Sequence, residues 1–142
     1  MRVVAGRAKE LRYAVDLDAG GELTDENGVG LDPPPEWSPE HLLLAALVRC
    51  SVKALRYHAE RSGIDIRSAT GSGRTLVTKR DADDRYALVD TDVELAVELE
   101  PEPEPDALAE LVGLAERDCF IGSSLTAKPG YRWIVNGRRI GS

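Results

Sequence analysis

Between Leu11 and Asp18 apolar and polar side chains alternate, which is the two-residue period of a strand with one covered face. Gly20-Gly21 and Asn27-Gly28 mark turns on either side of Glu22-Leu23-Thr24, so an antiparallel meander is expected to open the chain. Pro33-Pro34-Pro35 ends it, because proline fits neither a sheet interior nor a helix interior. The period then becomes helical. Ser38 can cap, Pro39 suits the first helical position, and Glu40 sits in the first turn, where the helix dipole favours an anion. Trp37 and Leu42 stand at staple spacing across that cap. The run Leu42 to Val48 is apolar nearly all round, which predicts a central, buried first half. Leu43, Ala46, Leu47, Cys50, Ala54 and Tyr57 form one stripe, and His58, Arg61 and Gly63 read as the stop. The helix so predicted covers 39–62, a rod of about 35 Å at 1.5 Å per residue.

Two long strands are predicted next, Ile66 to Lys79 and Tyr86 to Glu100, joined by a loop over Asp81 to Arg85. Glu100-Pro101-Glu102-Pro103-Glu104-Pro105 makes a proline-stiffened crossover. A second amphipathic helix starts near Asp106, with Leu108, Leu111, Val112, Ala115 and Cys119 on its stripe. Tyr131 to Val135 closes the chain as a strand before the Asn136-Gly137 turn. Strands, a central helix, strands, a helix and a strand make an α+β order within a single domain over 1–142.

Composition narrows the function classes. At 142 residues, 42% apolar and 30% charged, the chain has the make-up of a globular domain able to bury a core. Its net charge of −7 argues against nucleic acid, whose phosphates need a basic face. Asp81 to Asp84 and Glu94 to Asp106, where acidic residues gather, read as solvated surface. The longest apolar run is far short of the ~20 residues that cross a bilayer, and the first residues lack a signal peptide's apolar stretch. A cytoplasmic protein without a membrane partner is therefore expected.

His41 and His58 are some five turns apart on one helix and the cysteines lack zinc-type spacing, so neither metal nor other cofactor is expected. Gly71-Ser72-Gly73 lacks the spacing of a phosphate loop, and Ser123 and Ser124 have no histidine placed to activate them. Cys50 and Cys119 remain as the candidate nucleophiles. Each has two readings: a small hydrophobe in the core, or a reactive thiol, supported in the case of Cys50 by Arg49 and Lys53. The pair could also face each other, and a bond between them needs Cα atoms about 4.4–6.8 Å apart.

The run Ser38-Pro39-Glu40-His41-Leu42-Leu43-Leu44-Ala45-Ala46-Leu47-Val48-Arg49-Cys50 resembles the central-helix signature of the OsmC/Ohr family, in which a cysteine follows the glutamate by ten residues. Cys119-Phe120-Ile121-Gly122-Ser123-Ser124-Leu125 resembles that family's second motif, with Phe120 where a proline is usual. Asp25-Glu26-Asn27-Gly28-Val29 and the two strands between the helices match its layout as well. The resemblance implies an OsmC-like fold, with antiparallel sheets packed around a long central helix in an intertwined homodimer whose active sites lie at the subunit interface. It further implies a peroxidase for organic hydroperoxides, reset by a thiol reductant. Cys50 would be the peroxidatic thiol, Cys119 the resolving thiol and Glu40 their carboxylate partner.

Geometry adds a condition. Glu40 and Cys50 on one straight helix lie about 15 Å apart along its axis, so a shared site needs a broken helix or a second chain. The sequence also departs from the family pattern, because residues 20–38 contain no arginine to pair with the glutamate and activate the cysteine. Arg7, Arg12 and Arg49 are the available substitutes, and none matches a motif. The rival expectation is a non-catalytic dimer of this fold that binds a small apolar ligand at the interface, with both cysteines serving packing. A disulfide-stabilised domain without a ligand is the third.

Overall fold

A computed structural model describes residues 8–140, so Arg7 lies outside the described residues. The chain divides into two compact units, one ending at Trp37 and the other beginning at Ser38. The first unit is a three-stranded antiparallel meander of β1 (Val15–Leu17), β2 (Leu23–Asp25) and β3 (Gly30–Leu31). The alternation from Leu11 thus yields a shorter strand than its pattern spans. Gly21 and Gly28, with φ of 92° and 82°, take the left-handed turn positions that a side chain would strain. Asp18 and Asp25 accept backbone N–H groups across these turns at 2.8–2.9 Å. The apolar side chains of Val15, Leu17, Val29 and Leu31 remain exposed.

The second unit is built on α1 (Pro39–Arg61), 23 residues without a break. At its start the Ser38 N–H donates to His41 Nδ1 at 3.0 Å, a capping box with histidine in place of the usual glutamate. Gly63 at φ 71° turns the chain away beyond the far end. The helix is most deeply buried in its second half, at Ser51, Ala54, Leu55 and Ala59, and not in the apolar first half as predicted. Leu42, Leu43 and Leu44 are half-buried and Ala45 is exposed, because one sheet can cover only one side of a segment apolar all round. Tyr57 is exposed, so the buried stripe drifts away from it towards His58 and Ala59.

Strands β4 (Asp65–Lys79), β5 (Tyr86–Glu100), β6 (Gly130–Val135) and β7 (Arg138–Ile140) form one sheet in that order. The β4–β5 and β6–β7 pairs are antiparallel. β6 joins β5 in parallel, as the return through α2 (Pro105–Arg117) and α3 (Phe120–Ser124) requires. Along β5 the even period puts Thr91, Val93, Leu95, Val97 and Leu99 inside, opposite Leu47 and Leu55 of α1, Leu108, Leu111 and Val112 of α2, and Trp133 and Val135 of β6. Asn136, at φ 50°, continues the β5 ladder with its side chain, accepting the Leu99 N–H at 2.8 Å and donating to the Leu99 carbonyl at 3.2 Å.

Gly71 and Gly73 face α1 from β4. A Cβ at Gly71 would lie 2.8 Å from Val48 Cγ1 and 2.9 Å from Leu95 Cδ2, and one at Gly73 would lie 3.2 Å from Val48 Cγ2. These glycines let helix and strand approach closely, which is why they occur without a phosphate-loop spacing. Gly113, exposed on α2, has nothing within 4 Å of its would-be Cβ. Gly71→Ala is therefore expected to destabilise by about 1–3 kcal/mol through overpacking. Gly113→Ala should stabilise by up to about 1 kcal/mol through helix propensity. Urea unfolding of the two variants checks the opposite signs, and a neutral Gly71→Ala would refute the close-packing account.

Candidate active site

Cys50 lies mid-helix on α1, half-buried, one turn beyond the buried Leu47. Cys119 was expected on the stripe of the second helix. Instead α2 ends at Arg117, and Cys119 caps the short α3, with its Sγ accepting the Gly122 N–H at 3.4 Å. That change of direction turns the thiol inward to zero exposure, where it meets α1. Both cysteines are free thiols, and they lie close enough to act on each other directly.

Two further residues complete the cluster. Ser51 is fully buried, donates to the Leu47 carbonyl at 2.8 Å, and stands 3.6 Å from Cys119 Sγ. Tyr131 on β6 brings its hydroxyl to the same place, where a Cβ on Gly122 would lie 2.5 Å from the phenol oxygen and 3.4 Å from Cys119 Sγ. The Tyr131 hydroxyl is buried and makes no hydrogen bond of ordinary geometry, although Cys119 and Ser51 are near enough to act on it. Burial is the main reason its pKa is pushed well above the usual phenol range. Nothing in the sequence singled these residues out, because a serine after a cysteine and a strand tyrosine carry no motif of their own.

The Cys50 thiol is pushed above its ordinary 9.0, first by burial and then by the neighbouring Cys119. The backbone N–H groups of Ile121 and Phe120, at the start of α3, face its sulfur and act in the opposite direction. Among the described residues no cation contributes to this balance. Arg49 and Lys53 are exposed on α1, and Arg12 pairs with Glu10 at 3.1 Å in the first unit. Glu40 is half-buried in the first turn of α1, and the unbroken helix keeps it about 15 Å from Cys50 of the same chain. Ser123 and Ser124 bond back to the carbonyls of Cys119 and Phe120 at 3.0 and 2.7 Å, which holds α3 together.

His58 and Asp118 fasten the cysteine motif to α1. The imidazole Nε2 lies 2.7 Å from the Asp118 carboxylate, which Arg117 also contacts at 2.8 Å. Arg117 and then His58 hold the Asp118 carboxyl down at about 2. His58 thus has a structural partner one residue before Cys119. Among the described residues no three His, Cys, Asp or Glu side chains are grouped to hold a metal ion, and no helix is long and apolar enough to cross a membrane.

The family model described as OsmC-like protein matches residues 31–132. In structure the chain is similar to an OsmC-like protein of unknown function from Vibrio cholerae, at 15% identity and a TM-score of 0.72, over 89% of this chain and all of that one. It is similar to an OsmC-like protein from Mycoplasma pneumoniae at 16% identity and a TM-score of 0.67, over 91% and 99% of the two chains. It is also similar to the organic hydroperoxide resistance protein OhrB of Bacillus subtilis, at 19% identity and a TM-score of 0.54, over 88% and 96%. At such identities these likenesses establish the fold. No curated protein matches the chain in sequence.

A thiol governed by burial has a definite pH signature. Alkylation of Cys50 by iodoacetamide, followed by peptide mapping, should be slower at neutral pH than that of an unperturbed thiol. Its rate should still be climbing above pH 9. Because the folded pKa is raised, the thiol's contribution to stability is complete below 9.0 and declines as pH rises beyond it. An alkylation rate that levels off below pH 8 would refute the burial-dominated thiol.

Proposed function

The chain belongs to the OsmC-like family, and from that membership we propose that it is a thiol-dependent peroxidase reducing organic hydroperoxides with Cys50 and Cys119. The observation carrying this reading is the pairing of a half-buried thiol with a fully buried one where α1 meets α3. The accessible sulfur suits attack on a peroxide, and the enclosed one suits resolution. Cys50 thiolate attacks the distal peroxide oxygen, the O–O bond breaks, and the alkoxide leaves as an alcohol after taking a proton. Cys50 is then a sulfenic acid. Cys119 attacks its sulfur, the S–S bond forms, and the sulfenic oxygen departs as water. A thiol reductant restores both thiols by exchange and is itself oxidised to a disulfide. Free thiols suit the reducing cytoplasm, where we place the protein.

The working form in this proposal is a homodimer. Val15, Leu17, Val29 and Leu31 are exposed on the meander, and Leu42 to Leu44 are half-exposed on α1, two apolar surfaces of the kind that a second copy would cover. Glu40 serves as carboxylate partner only across the dimer, at the other subunit's Cys50. One observation favours the rival reading, a non-catalytic dimer that binds a small apolar ligand at the subunit interface: among the described residues no cation offsets the burial of Cys50. The two readings separate at the first chemical step.

Treatment with one equivalent of an organic hydroperoxide, followed by thiol counting and mass spectrometry, is expected to remove both thiols as an intramolecular Cys50–Cys119 bond. Cys50→Ser should abolish this and lower hydroperoxide turnover by at least about 10³-fold. Cys119→Ser should stop at an oxidised Cys50. Two intact thiols in folded, peroxide-treated protein would leave the ligand-binding reading in place.

A further inference from the structure

The resolving cysteine sits in a pocket of hydroxyl groups whose protons can be assigned. Ser51 donates its proton to the Leu47 carbonyl at 2.8 Å, so towards Cys119 Sγ, 3.6 Å away, its oxygen acts as an acceptor of the thiol proton. The Gly122 N–H reaches the same sulfur at 3.4 Å. That leaves Tyr131, whose buried hydroxyl has a proton with no acceptor of ordinary geometry. Its oxygen and Cys119 Sγ converge on the bare Cα of Gly122, where even a methyl group would strike the phenol at 2.5 Å. The phenol ring is stacked on Trp133 at 6.4 Å between centroids and 13° between planes, and Trp133 is held by Glu116 at 2.8 Å. The hydroxyl is therefore aimed by a packed scaffold.

From this arrangement we infer that Tyr131 is a positioning residue for resolution: it donates a hydrogen bond to the Cys119 sulfur as that sulfur becomes a thiolate, while Ser51 receives the thiol proton's hydrogen bond in the resting state. A developing anion at this buried sulfur has Ser51, the Gly122 N–H and Tyr131 around it, besides Cys50, whose sulfur it attacks. Tyr131 is the one side chain with an uncommitted donor. The titratable groups facing the sulfur are Cys50 from α1 and Tyr131 from β6, with Glu116 of α2 acting on the phenol. Burial keeps the phenol protonated, so it acts as a donor and not as a base. This inference rests on the reading of Cys50 and Cys119 as a resolving pair, but it can be tested without a peroxide.

Ellman's reagent on the accessible Cys50 leaves a mixed disulfide there. Cys119 thiolate then attacks the Cys50 sulfur, the protein S–S bond forms, and thionitrobenzoate leaves, which is followed by its colour. In Tyr131→Phe the ring and its stacking are retained and only the hydroxyl is lost. Expulsion should slow about tenfold at neutral pH, the worth of one ordinary hydrogen bond. The rate's pH midpoint should rise by about one unit. Initial labelling of Cys50 should keep its rate. If Tyr131→Phe proves unstable, uniform 3-fluorotyrosine offers a more acidic phenol in an unaltered fold; the other tyrosines, Tyr13, Tyr57 and Tyr86, are exposed. Faster expulsion is then expected. Unchanged rates and midpoint in the folded variants would overturn the inference. A protein that expels thionitrobenzoate normally yet ignores hydroperoxide would fail the peroxidase proposal alone.

Discussion

Helix α1 can lie against β4 only because residue 71 has no side chain. With Val48 Cγ1 2.8 Å from where its Cβ would stand, the helix rests almost on the strand backbone. That contact fixes the height and rotation of the helix. Leu47 is then driven into the core, and Ser51, one turn on, follows it to zero exposure. Cys50 falls at the edge of the same face, half-covered. Tyr131 reaches Ser51 of the helix from the parallel strand, opposite Val93 of β5, while Trp133, opposite Leu95, bonds to Glu116 of α2. The cysteine cluster is thus a consequence of how closely one helix meets one sheet.

Within that cluster the decisive balance is between burial and hydrogen bonding. Burial is the largest influence on Cys50 and favours the neutral thiol; the α3 amides oppose it without reversing it. A helix dipole acts mainly in its terminal turns, so a cysteine in the middle of α1 draws nothing from its own helix. It draws instead on the start of α3, which exists only because the chain turns at Asp118. The His58–Asp118 contact at 2.7 Å secures that turn, so a residue pair with no place in the chemistry sets where the chemical groups meet.

The layout was largely legible in the sequence because its signals are local. The caps of α1, the two long strands, the proline crossover and the Asn-Gly turn each act through neighbouring residues. What escaped depends on partners distant in the chain. Cys119 fits the spacing of α2's stripe, yet it leaves that helix, since a stripe cannot reveal where the ladder stops one residue short of its last member. Ser51 and Tyr131 are 80 positions apart and meet only through the parallel entry of β6. Gly71 looked like a weak loop signal because its requirement, the approach of Val48, lies on another element.

The unbroken α1 carries a geometric consequence for the proposed dimer. Glu40 and Cys50 are ten residues apart, which at about 100° per residue sets them about 80° apart around the helix. Between them on the wheel lie the half-buried Leu43 and the fully buried Leu47, while the exposed Ala45, midway in sequence, points the opposite way. In the proposed dimer a second chain must therefore enter at the partly covered Glu40–Leu43–Cys50 edge and not at Ala45 for the carboxylate that is out of reach within one chain to come within reach.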